Sequence, residues 1–125
     1  MKKAIDDARE RASEIADQLS ALGPIGVARF FGGAGLKADG VQFAFVINGT
    51  LYFRTDEGGR ATYEALGSRP FRYDGRSGEV VVTSYWEVPS EILEDEEELG
   101  RWAGRAIEAA RAPRPARGRR ARRAG

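Results

Sequence analysis

Val41-Gln42-Phe43-Ala44-Phe45-Val46-Ile47-Asn48-Gly49-Thr50-Leu51-Tyr52-Phe53-Arg54 is the stretch on which the fold turns. Two runs rich in aromatic and β-branched residues flank an Asn-Gly pair, and such runs favour strands. Asn-Gly suits the type I′ turn of a two-residue hairpin, which needs positive φ at both central positions. Closing the turn there pairs Ile47 with Thr50, Val46 with Leu51, Phe45 with Tyr52, Ala44 with Phe53 and Phe43 with Arg54. Cross-strand partners share a face. One face then carries Phe43, Phe45, Ile47 and Tyr52, and the other Ala44, Val46, Leu51 and Phe53. Neither is a solvent face, so the pattern predicts cover on both sides, by helices of this chain or by a second copy.

Upstream, the period of two reaches back to Ile25 with a turn at Ala38-Asp39-Gly40, giving four short strands before Arg54. Ahead of them Ile5, Ala8, Ala12, Ile15, Ala16, Leu19 and Leu22 recur at steps of three and four, the stripe of a helix ended by Gly23-Pro24. Downstream, Asp56 caps a helix over 57–66 with Gly67 as its left-handed end. Phe71-Arg72-Tyr73, a turn over 74–78, and Val80-Val81-Val82-Thr83 leading to Tyr85-Trp86 form a second hairpin. Pro89 opens a helical turn over 90–93, and Asp95 with Glu98 forms a capping box for a final helix. Leu99, Trp102, Ala103, Ala106, Ile107 and Ala110 are its buried stripe. Hairpins between terminal helices predict an α+β fold, with an antiparallel sheet of five to six short strands and N-terminal and C-terminal helices.

Charge divides the chain in a way its total hides. The 125 residues hold 20 Lys and Arg against 19 Asp and Glu, a net charge of +1. Seven of the arginines, and no acid, lie from Arg111 on, leaving 13 bases against 19 acids in the body, a net charge of −6. We expect one domain over 1–110 and a disordered Arg-rich tail over 111–125. Arg114, Arg117, Arg119, Arg120, Arg122 and Arg123 are candidate phosphate contacts for nucleic acid. No aromatic interleaves them, so such binding would ignore sequence.

With no Cys and no His, the chain lacks a thiol nucleophile, a thiolate metal site and the commonest general base. No Ser sits in a Gly-x-Ser-x-Gly elbow, and Lys37 beside a turn is poorly placed to activate Tyr52. No enzymatic activity, cofactor or metal is expected. The acids Glu91 and Glu94 to Glu98 read as a solvated helix start favoured by the helix dipole. Phe30-Phe31-Gly32-Gly33-Ala34-Gly35 is Gly-rich, yet phosphate loops run from a strand straight into a helix and here more strand follows. Its glycines are expected to let strands bend or cross closely. Val41 to Ile47 is too short to span a bilayer, and Met1-Lys2-Lys3 leads into an acidic segment, so no membrane contact and a cytoplasmic location are expected.

Arg29 to Leu36, Asp39 to Ala44, Gly49 to Arg54, Pro70 to Tyr73 and Ser84 to Pro89, in that order, resemble the N-terminal domain of TfoX/Sxy proteins, the regulators of natural competence. The resemblance covers roughly residues 1 to 110. It implies a two-layer, secretion-chaperone-like α+β domain without enzymatic activity. In full-length members this domain precedes a helical second domain, and the whole acts as a transcription co-regulator beside the cyclic-AMP receptor protein. Phe30 stands where the family usually has Met, and Ala34 and Lys37 replace frequent aromatics.

The expected function is a regulatory or protein-interaction module acting on a protein partner or on itself as a homodimer. Its candidate surface is Arg29, Phe31, Gly32, Gly33, Gly35, Tyr52, Tyr85 and Trp86. The alternative is a nucleic-acid-associated protein that binds through the tail.

Overall fold

The Asn48-Gly49 turn forms as its sequence requires, with φ of 53° and 79°, and Asp39-Gly40 repeats it at 54° and 78°. The computed structural model describes residues 2–112, with side chains from Asp6 on; the expected Arg-rich tail lies outside the described residues from 113. Around the two turns the chain builds β1 (Ile25–Phe30), β2 (Gly33–Ala38), β3 (Val41–Ile47) and β4 (Thr50–Arg54). Helix α1 (Lys2–Gln18) and a 3-10 turn (Ser20–Leu22) precede them. Helix α2 (Glu57–Ala65), strands β5 (Pro70–Gly75) and β6 (Gly78–Glu87), and helices α3 (Ser90–Leu93) and α4 (Glu96–Arg111) follow. The six strands form one antiparallel sheet in the order β1-β2-β3-β4-β6-β5.

The β3–β4 register is the expected one from Ile47–Thr50 to Ala44–Phe53. It fails at Phe43. Across β2, Leu36 faces Ala44 but Lys37 faces Gln42, so Phe43 is the extra residue of a β-bulge. The bulge breaks the period of two and turns Phe43 away from the Phe45 face. Its ring is fully buried in the core beneath the helices, 6.2 Å from that of Phe53.

That core lies under one face of the sheet. Ala8, Ala12, Ile15 and Leu19 of α1 and Leu99, Trp102, Ala103, Ala106 and Ile107 of α4 close over Leu36, Ala44, Val46, Leu51 and Phe53. α1 packs on β1, β2 and β3, and α4 on β3 and β4, so the two helices share the face. Complete burial of each large apolar side chain contributes roughly 1.5–3 kcal/mol. Leu22, expected on the α1 stripe, is instead 42% exposed, because the helix ends at Gln18 and the tighter 3-10 turn rotates it outward.

Asp95 caps α4 by accepting the backbone N–H groups of Glu97 at 3.1 Å and Glu98 at 3.2 Å. The reciprocal half of the expected capping box is not made. The Glu98 carboxylate accepts instead from Arg101 and, at 3.2 Å, from the Trp102 indole N–H. The Arg101 hydrogen bond holds the Glu98 carboxyl below the usual carboxylate range. Asp95→Ala should therefore cost about 1 kcal/mol, the value of a single cap. Chemical denaturation would check it, and an unchanged midpoint would mean that the cap adds nothing to the helix packing.

Candidate functional site

The second face of the sheet is closed by side chains of the sheet itself. Phe45, 1% exposed, is the hub, with ring centroids 4.7 Å from Phe30, 4.7 Å from Tyr85, 4.9 Å from Phe71 and 5.2 Å from Tyr52. Tyr52 and Phe71 meet edge to face at 5.1 Å. Such pairs contribute about 0.5–1.5 kcal/mol each beyond the area they bury. The apolar face that the sequence offers to a helix or a second copy is thus covered largely by its own aromatic residues.

Two ring contacts define the shape of this face. Phe31, after edge strand β1, lies 4.6 Å from Phe30 and 6.2 Å from Tyr73 of β5, the opposite edge. Across a flat six-stranded sheet the edges would be about 24 Å apart, beyond the reach of two rings. The sheet curls, and the β5–β6 hairpin folds over the aromatic face. The bend sits where the register breaks: Pro70 faces Trp86 but Phe71 faces Val82, leaving Thr83, Ser84 and Tyr85 as a long bulge on β6.

A rim remains open. Phe31 is 70% exposed, Tyr73 44% and Val80, opposite Tyr73, 37%. Phe31 also holds φ at 51°, in the left-handed region that favours glycine. A bulky residue at that φ costs on the order of 1–2 kcal/mol, and strain of this kind gathers at functional positions. Two polar groups steady the face beside the rim. The Tyr85 hydroxyl donates to the Gln42 carbonyl at 3.3 Å, and the Arg54 guanidinium lies 5.7 Å from the Tyr85 ring. Burial, and then the Glu87 carboxylate, push the Tyr52 hydroxyl above its ordinary pKa.

The candidate surface residues divide accordingly. Phe31, Tyr52 and Tyr85 come together on the aromatic face, and Gly32 sits exposed in the turn beside Phe31. Arg29 is exposed near the end of β1. Gly33 and Gly35 are buried packing positions, where an added Cβ would come within 1.9 Å of the Val46 carbonyl oxygen and 2.3 Å of Gln42 Oε1. The predicted role in close strand approach holds at Gly33, where the obstacle is backbone; at Gly35 it is the movable end of the Gln42 side chain. Trp86 does not belong to the surface. Neighbours in a strand point to opposite faces, so Trp86 pairs with Phe53 beneath the helices, 5% exposed, with its indole N–H donating to the Thr83 carbonyl at 2.9 Å. Phe30, Phe45, Phe71 and Tyr73 complete the face; only the step of two from Phe71 to Tyr73 marked any of the last pair in the sequence. The tail arginines from Arg114 to Arg123 lie outside the described residues.

On the helix side, a cavity of about 410 Å³ opens between the end of β4, the first turn of α2 and the second half of α4. Thr55, Tyr63, Trp102 and Arg105 line it. Tyr63 meets Trp102 edge to face at 4.9 Å, and burial pushes the Tyr63 hydroxyl far above its ordinary pKa, opposed by the nearby Arg105. Among the described residues no cluster of three or more Asp or Glu side chains is placed to hold a metal ion, and no helix is long and apolar enough to cross a membrane.

Residues 17–110 match the family described as the TfoX N-terminal domain. Among curated proteins none matches the chain.

Proposed function

Because the chain belongs to the TfoX N-terminal domain family, we propose that it is a non-enzymatic regulatory module that works by protein–protein contact through the Phe31 rim of its aromatic face. The observation that carries this is the cost borne at Phe31. A large ring stands 70% exposed on a backbone conformation that glycine or asparagine would hold with less strain. Tyr73 and Val80 extend it into a continuous apolar rim beside an already buried aromatic cluster, the anatomy of an interface anchor. A second copy of the chain is the simplest partner, and a competence-type regulator is the partner that the family resemblance implies. Sedimentation velocity should show concentration-dependent association of the wild-type chain that Phe31→Asn removes. A wild type that stays monomeric would sink the self-association form.

The second reading rests on charge. Arg111, expected in the tail, instead ends α4 and pairs with Asp39, leaving six arginines without an acid beyond an acidic body, and such a body repels nucleic acid unless the tail overcomes it. Binding to random duplex DNA should then fall with salt at a slope of up to about −5 in log–log form. It should vanish when the chain is cut after Ala110. Equal binding by both forms would exclude the tail, and no binding by either would end the reading.

A further inference from the structure

We propose that the cavity between α2 and α4 binds a small aromatic acid, a single ring system carrying one carboxylate. This site lies on the opposite side of the sheet from the Phe31 rim and does not depend on the function proposed for it. At about 410 Å³ the cavity falls in the range of small-molecule sites. It stays open because Ala106 and Ala109 face it from α4 and Gly58 from α2, where longer side chains would fill it.

Its walls are aromatic and rich in donors. Trp102 and Tyr63 are buried at 7% and 5% exposure and set at 90° to one another, offering a ring both a face and an edge. Three donors lack a good acceptor. The Tyr63 hydroxyl makes no hydrogen bond among the described residues. Thr55, 8% exposed, has only a 3.4 Å contact with the Asp56 carbonyl, long for a hydroxyl. The Arg105 guanidinium stands 5.9 Å from the Trp102 ring with no carboxylate in ion-pair range among the described residues. Arg105 is exposed and the Tyr63 hydroxyl keeps contact with solvent, so these donors are open to the cavity, where a carboxylate on a ring would replace water and accept from several at once.

The other charges at the cavity leave that role to Arg105. Two carboxylates also line the cavity, Asp56, which accepts from the Gly59 N–H at 2.8 Å, and the exposed Glu108, and neither can hold an acid. The Arg54 guanidinium is held over Tyr85. A neutral amide of the same shape would keep the ring contacts and lose the ionic hydrogen bond. An acid without a ring would do the reverse.

The full chain, labelled with nitrogen-15, would be titrated with benzoate, benzamide and acetate while the two tryptophan indole N–H resonances are followed. Benzoate should shift the Trp102 indole saturably and leave that of Trp86, which does not line the cavity, in place. Benzamide, and benzoate with Arg105→Gln, should each bind at least about tenfold more weakly, the loss expected for one charged hydrogen bond, and acetate should bind at least about tenfold more weakly for want of the ring contacts. Arg105 is exposed, so that variant should fold; Tyr63→Phe, which keeps the ring, should weaken benzoate several-fold and serves as a second check. No saturable shift of Trp102, equal binding of benzamide or acetate, or wild-type affinity in folded Arg105→Gln would each overturn the proposal.

Discussion

Replacing Phe45 by alanine should lower the stability of the domain by about 3–5 kcal/mol, the range for removing a fully buried aromatic side chain. Phe45 is 1% exposed and its ring touches those of Phe30, Tyr52, Phe71 and Tyr85. Those four come from β1, β4, β5 and β6, so the hub joins both edges of the sheet to its middle. The void cannot collapse easily, because its floor is the β3 backbone bonded to β2 and β4. For a domain of this size, such a loss lowers the melting temperature by roughly 10–20 °C. The hairpin should loosen first, since Phe71 and Tyr73 fix it to the face. Hydrogen exchange in β5 should therefore accelerate more than in β3. A loss below about 1.5 kcal/mol, smaller than large-to-small core changes give, would show that the hairpin closes over the gap and that Phe45 is not the hub.

Gly33→Ala should cost about 3 kcal/mol, the upper end for forcing atoms into packed structure. The new methyl group would meet the Val46 carbonyl oxygen at 1.9 Å, and that oxygen belongs to a central strand that cannot swing away. The β2–β3 spacing must open at that point. Gly32→Ala is the control one residue away. Its methyl would meet nothing within 4 Å, and its φ is not in the left-handed region. It should be neutral or stabilise by up to about 1 kcal/mol through a less flexible unfolded chain. Urea denaturation of the pair distinguishes close approach from generic glycine flexibility. Equal midpoints would contradict the packing role of Gly33.

The Asn48-Gly49 and Asp39-Gly40 turns carried their own register in the sequence, because few residue pairs accept positive φ twice in succession. Everything pinned by those turns follows, from the strand partners to the two apolar faces. Phe43 escaped because a bulge costs nothing in local pattern; it shows only once Leu36 and Lys37 are aligned with their partners. Trp86 was separable from Tyr85 by alternation alone. The fold-over of the β5–β6 hairpin had no local signal, since it depends on Phe31 meeting Tyr73 across the whole sheet. The left-handed backbone at Phe31 was hidden for a related reason: turn chemistry would place glycine or asparagine there, and the chain places phenylalanine. That mismatch between local preference and observed conformation is what makes Phe31 a candidate site. The cavity beside Tyr63 was equally silent, because alanines in a helix stripe read as packing until α2 is seen to leave a space against them.

Phe31 as the anchor of a protein contact can be probed by placing a photo-crosslinking phenylalanine analogue at residue 31 and, separately, at residue 66, in the full chain within its source cell. Leu66, 44% exposed on the end of α2, is a comparably open apolar position away from the aromatic face. A discrete protein adduct, either a second copy or another chain, should form from position 31 and not from position 66. Adducts of equal yield from both positions, or from position 66 alone, would show that Phe31 is not an anchor.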